Sequence, residues 1–285
     1  MVRRNGVCWM CSRAGRLTQE HAFPDWVRRI FAQDGHGIVL SDHRAGIAKR
    51  SRTWTNTSGE ITVRSVCGDC NNGWMSALEG RCKPLLAPLI TGHRAHLGLD
   101  AQTDMALWAV KTAWVFQSTN PATSTCTADQ RRTLARFQAV PDGVSVLLGG
   151  YQEAGDTVLC TSWYAAGATA AAQPDRLDAS ATTLLIGRVV LQVLQRPAAV
   201  TDSRTSAPTQ QPARTNAVLR SLLPPTGQPI DWPPGQPLRE ADLDGFVKPA
   251  GFTGRPWASL PALEALSAPE PPAFGPEPSA DFGHG

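Results

Sequence analysis

Cys8-Trp9-Met10-Cys11 and Cys67-Gly68-Asp69-Cys70 are the stretches whose reading decides this fold. Each Cys-x-x-Cys knuckle sets two sulfurs on one tight turn. Two such pairs are the spacing by which a tetrahedral ion collects four thiolates at about 2.3 Å. The competing reading is four free buried thiols. Four thiolates would leave no open coordination position, so the expected ion is a structural Zn2+ on Cys8, Cys11, Cys67 and Cys70. It would close the 55-residue loop between Cys11 and Cys67. Glu20-His21 lies inside that loop, and Asn71-Asn72-Gly73-Trp74-Met75-Ser76 directly follows the second knuckle as the expected start of a helix.

The run Cys8-x-x-Cys11, Glu20-His21-x-Phe23-Pro24, then Cys67-x-x-Cys70-Asn71 resembles the zinc-knuckle branch of the HNH (ββα-metal) endonucleases. The resemblance spans roughly residues 5–80, under a third of the chain. It implies a metal-dependent nuclease that hydrolyses the phosphodiester bonds of nucleic acid, with DNA the expected form. His21 matches the general base, which a neutral imidazole can be at physiological pH. Glu20 matches an acidic ligand of a catalytic divalent ion, Mg2+ or Mn2+, for which a carboxylate is a suitable hard donor. Its competing roles are to orient His21 or to form a surface ion pair. Asn71 matches the second ligand of that ion, with a helix N-cap as the alternative. The family's middle asparagine has no clear counterpart. Asn56 is the sole asparagine between His21 and Asn71, and no motif surrounds it. The 45 residues from His21 to Cys67 imply an insertion near 32–52.

Composition sets the surrounding frame. The chain has 285 residues, 42% of them hydrophobic, enough for a sizeable core. No apolar run reaches the roughly 18 residues of a membrane span, and no apolar segment follows the N-terminal arginines as in a secretory leader. Cys82, Cys126 and Cys160 are scattered singly, as reduced core thiols in the cytoplasm would be. Residues 1–100 carry 14 Lys+Arg against 8 Asp+Glu, and the remainder 13 against 16. The half with the knuckles is therefore the basic half, and a basic surface suits a polyanionic partner. Such faces are also ordinary solvated surface.

The expected architecture is α+β in four parts. Residues 1–83 form the HNH-like zinc unit and 84–196 an α+β accessory region. Residues 197–267 form a Pro-rich linker with a short docking segment near 238–246, and 268–285 a disordered tail. In the first unit, residues 23–31 read as a short helix. Strands near 38–40, 53–55 and 60–66 follow, with a turn at Thr57-Ser58-Gly59. The basic loop bearing Arg44, Lys49, Arg50 and Arg52 is the expected phosphate contact. A helix over 73–82 should stop before Pro84 and Pro88.

Beyond it, the pattern predicts helices at 103–118, capped by Thr103, and at 128–139. Strands follow at 144–148, 157–164 and 182–194. Trp108 and Trp114 read as core. His36 and His43 fall in loops, and His93 and His96 at i, i+3 are commoner as surface histidines than as a second metal site.

Two further readings come from other classes. One is a non-catalytic, zinc-stabilised nucleic-acid-binding module. The other is an interaction domain for a protein partner.

Overall fold

The computed structural model describes residues 5–31, 38–44, 51–56, 62–119, 121, 124–152, 158–165, 179–195 and 219–242. The fold is mixed α+β. β1 (Asn5–Val7), β2 (Ala14–His21) and β5 (Thr62–Cys67) form a small antiparallel sheet in the order β1-β2-β5. Between β2 and β5 come α1 (Asp25–Phe31) and the strands β3 (Ile38–Arg44) and β4 (Ser51–Asn56). β5 runs through the second knuckle into a wide helical turn, Cys70–Met75, and then α2 (Ser76–Ile90).

After β6 (Ala95–Leu97) come α3 (Leu99–Gln117) and α4 (Ala128–Phe137). The strands β7 (Val144–Gly150), β8 (Val158–Ala165), β9 (Ala179–Ile186), β10 (Val189–Gln195), β11 (Leu219–Leu223) and β12 (Ile230–Trp232) complete the described chain. A seven-stranded sheet has the order β11-β7-β10-β9-β8-β3-β4, and β12 pairs with β6.

β3 and β4 therefore join the large sheet, although they are inserted in the loop that the knuckles close. β3 pairs parallel with β8 and antiparallel with β4. The expected partnership of 53–55 with 60–66 is corrected accordingly, because β4 takes β3 and β5 takes β2. The expected turn Thr57-Ser58-Gly59 lies outside the described residues, as do Lys49 and Arg50 of the basic loop. Arg44 and Arg52 belong to the backbones of β3 and β4.

α3 is the axis of the core. From Met105 to Gln117 every residue is buried, as an apolar helix enclosed on all sides requires. It packs between α2 and the large sheet, with Trp108 and Trp114 fully enclosed. It begins at Leu99, one turn earlier than expected. Thr103 is not its cap, for its hydroxyl donates back to the Leu99 carbonyl at 2.9 Å.

α2 likewise runs through Pro84 and Pro88 rather than stopping before them. Each proline forfeits its own amide bond. The buried row Leu78, Cys82, Leu86, Leu89 and Ile90 holds that helix in place. Thr127 and Gln130 close α4 with a reciprocal capping box.

The apolar run expected as one strand over 182–194 is two, β9 and β10, joined by Gly187-Arg188. Gly187 sits at φ +53, and an added Cβ would lie 2.7 Å from the Ile90 carbonyl oxygen. Glycine alone meets both demands. β11 and β12 fall within the stretch expected as linker. Leu238 bonds through its backbone to Gly150 and Gln152. Residues 268–285 lie outside the described set.

Candidate functional site

The first knuckle is a turn tied by Cys8 N–H to the Arg13 carbonyl and Ser12 N–H to the Cys8 carbonyl, both 2.9 Å. Ser12 has φ +59, which closes the turn. The second knuckle joins the last residue of β5 to the start of the helical turn. Two contacts stitch the knuckles together: Trp9 N–H donates to Ser65 O at 2.6 Å, and Cys67 N–H to Cys8 Sγ at 3.3 Å. Met10, fully buried, fills the space beneath.

The four sulfurs converge. Cys8 and Cys70 Sγ are 3.9 Å apart, Cys11 and Cys67 Sγ 3.7 Å, and all four lie within 4.8 Å of one another. A tetrahedral thiolate site with bonds of about 2.3 Å has edges of about 3.8 Å. A disulfide would need about 2.0 Å. All seven cysteines are unbridged, and the four at the knuckles can hold a metal ion.

One sulfur of the cluster, that of Cys8, is biased toward the thiolate form. The Cys70 thiol donates to the Cys8 sulfur, and the amides of Cys11 and Cys67 point at it. Together they outweigh burial and push Cys8 down to about 4. Its partner Cys70 is pushed up correspondingly, and burial pushes Cys67 up. The three scattered cysteines are buried. Burial raises the Cys82 thiol to about 12 and raises Cys126 as well, in keeping with inert core thiols.

The knuckles rest on the rest of the protein. The Trp9 indole N–H donates to Trp114 O at 2.9 Å. The Arg131 guanidinium lies 3.6 Å over the Trp9 ring and donates to Trp9 O at 2.7 Å. α3 and α4 thus grip the first knuckle through one aromatic residue.

Glu20 and His21, as neighbours on β2, face opposite sides of the strand. His21 ends the strand half-buried, opposite Thr62. Glu20 points into the core, 6% exposed. There it meets Lys111 Nζ of α3 at 3.6 Å, while the same ammonium donates to Glu79 of α2 at 2.6 Å. Burial pushes the Glu20 carboxyl up to about 7, opposed by Lys111 and reinforced by Glu79. The expected surface ion pair is therefore an interior one. The signal was a lone lysine within the apolar run Trp108-Ala109-Val110-Lys111-Thr112-Ala113-Trp114, since a buried charge demands a buried partner.

Asn71 does not cap the helix. Asp69 holds that position without a side-chain cap bond, and the Asn71 amide instead donates to Thr18 Oγ1 at 3.1 Å and Gln19 O at 3.0 Å. The ladder between β2 and β5 shifts register at this point, between Thr18 and Glu20. The Gln19 carbonyl takes the asparagine amide. Asn71 is thereby strapped to the strand that carries Glu20 and His21.

Asn56 ends β4 in the large sheet, opposite Ile38, whereas His21 is in the small one. His93 and His96 are exposed, and neither is on a helix. His93 Nδ1 bonds Thr91 Oγ1 and His96 Nδ1 bonds Asp231 Oδ1, each at 2.8 Å. His36 lies outside the described residues, and His43 is in the backbone of β3. Among the described residues, the four knuckle cysteines are the one cluster of metal-binding side chains. No helix there is long and apolar enough to cross a membrane.

No protein-family model, curated protein or solved structure matches this chain.

Proposed function

We propose that, within residues 1–83, the β1-β2-β5 sheet and the helix after the second knuckle form a zinc-stabilised, HNH-type unit that hydrolyses phosphodiester bonds of nucleic acid, DNA in the first instance, with His21 as general base. The observation that carries this reading is the Asn71 strap. The residue after the second knuckle is tied by two hydrogen bonds to the strand bearing His21, while an antiparallel pair, β2 with β5, feeds straight into a helix. This strand–strand–helix order supports the ββα reading, although the two strands are 40 residues apart in sequence.

Zinc suits the four cysteines. The sulfur–sulfur edges match a closed tetrahedral site, which would pin the hairpin to the helix and take no part in chemistry. At the reacting centre, the His21 imidazole would accept a proton from water as its oxygen attacks phosphorus. The bond from phosphorus to the leaving oxygen then breaks, and that oxygen takes a proton from solvent.

A catalytic Mg2+ or Mn2+ does not fit its expected ligands as they stand. The Glu20 carboxyl is enclosed beside Lys111, and of the expected pair only Asn71 Oδ1 stays available, its amide nitrogen being tied to β2.

That mismatch favours a second reading, a zinc-stabilised module that binds nucleic acid without cutting it. Incubating an end-labelled DNA duplex and its single strands with wild type and His21→Ala separates the two. Cleavage lost in the variant at unchanged zinc content supports the nuclease. Salt-sensitive binding without cleavage by either protein selects the module.

A further inference from the structure

Between the knuckles and α4 lies a groove of about 530 Å3 that the resemblance to HNH enzymes does not account for. Arg13 and Asp69 form its knuckle side, with Trp74 at the base of the helical turn. Arg132, Arg136 and Phe137 form the α4 side.

Three guanidinium groups therefore meet across a cleft that holds two carboxylates, Asp69 and Asp129. Arg13 pairs with Asp69 at 3.3 Å and Arg132 with Asp129. Both pairs are exposed to solvent, and exposed pairs are worth little. A phosphate can replace either carboxylate at small cost. Arg136 lies 5.1 Å from the centroid of the Phe137 ring. Phe137 itself is 64% exposed, a large apolar ring left in water at the lip of the cleft. Cations in a concave wall, with an open aromatic ring at the edge, are the elements by which proteins hold unpaired nucleotides. The volume falls within the roughly 300–1,000 Å3 of small-ligand sites, room for one or two nucleotides and far short of a duplex.

We infer that this groove binds single-stranded nucleic acid, with Arg13, Arg132 and Arg136 on the phosphates and Phe137 stacked against a base. The inference rests on the nucleic-acid reading above and extends it to α4, beyond the stretch that resembles the HNH family.

Fluorescence anisotropy tests it, using the zinc-loaded full chain and a labelled single strand of about 12 nucleotides. The variants are Arg132→Ala/Arg136→Ala and Phe137→Ala. Lys83→Ala and Arg94→Ala serve as controls, being exposed basic residues outside the groove. Arg132, Arg136 and Phe137 are all exposed, so folding and zinc content should survive their replacement.

The double variant should weaken binding about tenfold and reduce the slope of log Kd against log salt by about 1.4, near 0.7 for each lost contact. Phe137→Ala should weaken it about fivefold or more. The controls should stay within about twofold of wild type. Wild-type binding that is salt-sensitive but indifferent to the groove variants would overturn the groove while leaving the nucleic-acid reading intact. Tighter binding of duplex, with equal sensitivity to these variants, would overturn the single-strand assignment. No binding of either form at low salt would remove both readings together.

Discussion

Replacing Glu20 by Gln should alter how the stability of this protein depends on pH, and the effect can be worked from the buried cluster. Two carboxyls, Glu20 and Glu79, share one enclosed ammonium, that of Lys111. Glu79 holds the shorter contact, so the cluster is electrically neutral when Glu20 keeps its proton. The Glu20 carboxyl titrates near 7 in the fold against 4.5 in its ordinary state. Between those values the folded protein binds a proton that the unfolded chain has released. Stability from this group is therefore full below about 4.5 and is lost as pH rises through about 7. The total is about 3 kcal/mol, at 1.36 kcal/mol for each pH unit separating the two values.

Glutamine cannot ionise and lacks this dependence. Urea unfolding of wild type and Glu20→Gln, stepped from pH 4.5 to 8, isolates the effect, because the other titrating groups cancel in the difference. The stability of the variant relative to wild type should rise by about 3 kcal/mol across that range. A difference that stays flat would mean that the Glu20 carboxyl keeps its ordinary acidity in the fold.

Lys111→Met keeps the side-chain volume but leaves two carboxyls facing the core without their cation. It should cost about 3–5 kcal/mol in chemical denaturation, and a cost below about 1 kcal/mol would show the pair to be dispensable. Gly187→Ala combines a left-handed φ with a Cβ 2.7 Å from Ile90 O, so a loss of about 1–3 kcal/mol is expected in thermal unfolding. Cys67→Ser should abolish binding of one zinc per chain, read by elemental analysis of purified protein, and lower the melting temperature. Retention of a full equivalent of zinc would contradict the four-sulfur site.

The four-cysteine cluster is legible in the sequence because its demand is local. Cys8 with Cys11, and Cys67 with Cys70, each bring two sulfurs together within a four-residue turn. The core role of Trp108 and Trp114 was legible for a similar reason, since an apolar helix has no other place to go.

Strand pairing was not. β4 has the composition of a hairpin partner for β5, yet β3 reaches β8, some 120 residues away, and takes β4 with it. Nothing in the sequence near Thr53-Trp54-Thr55 encodes that distant edge. α2 continues past Pro84 and Pro88 because tertiary burial outweighs local propensity, which no window around the prolines reveals. The burial of Glu20 on β2 is hidden for a related reason: its partner Lys111 is on α3, 91 residues along the chain.

The most direct test of the central claim is nicking of supercoiled plasmid by wild type and His21→Ala at equal zinc content, in EDTA, Mg2+ and Mn2+. With His21 as general base, wild type nicks the plasmid and the variant does not, while zinc and the melting temperature are retained. Nicking that persists at the same rate in His21→Ala, or no nicking by wild type under any of these conditions, would contradict it.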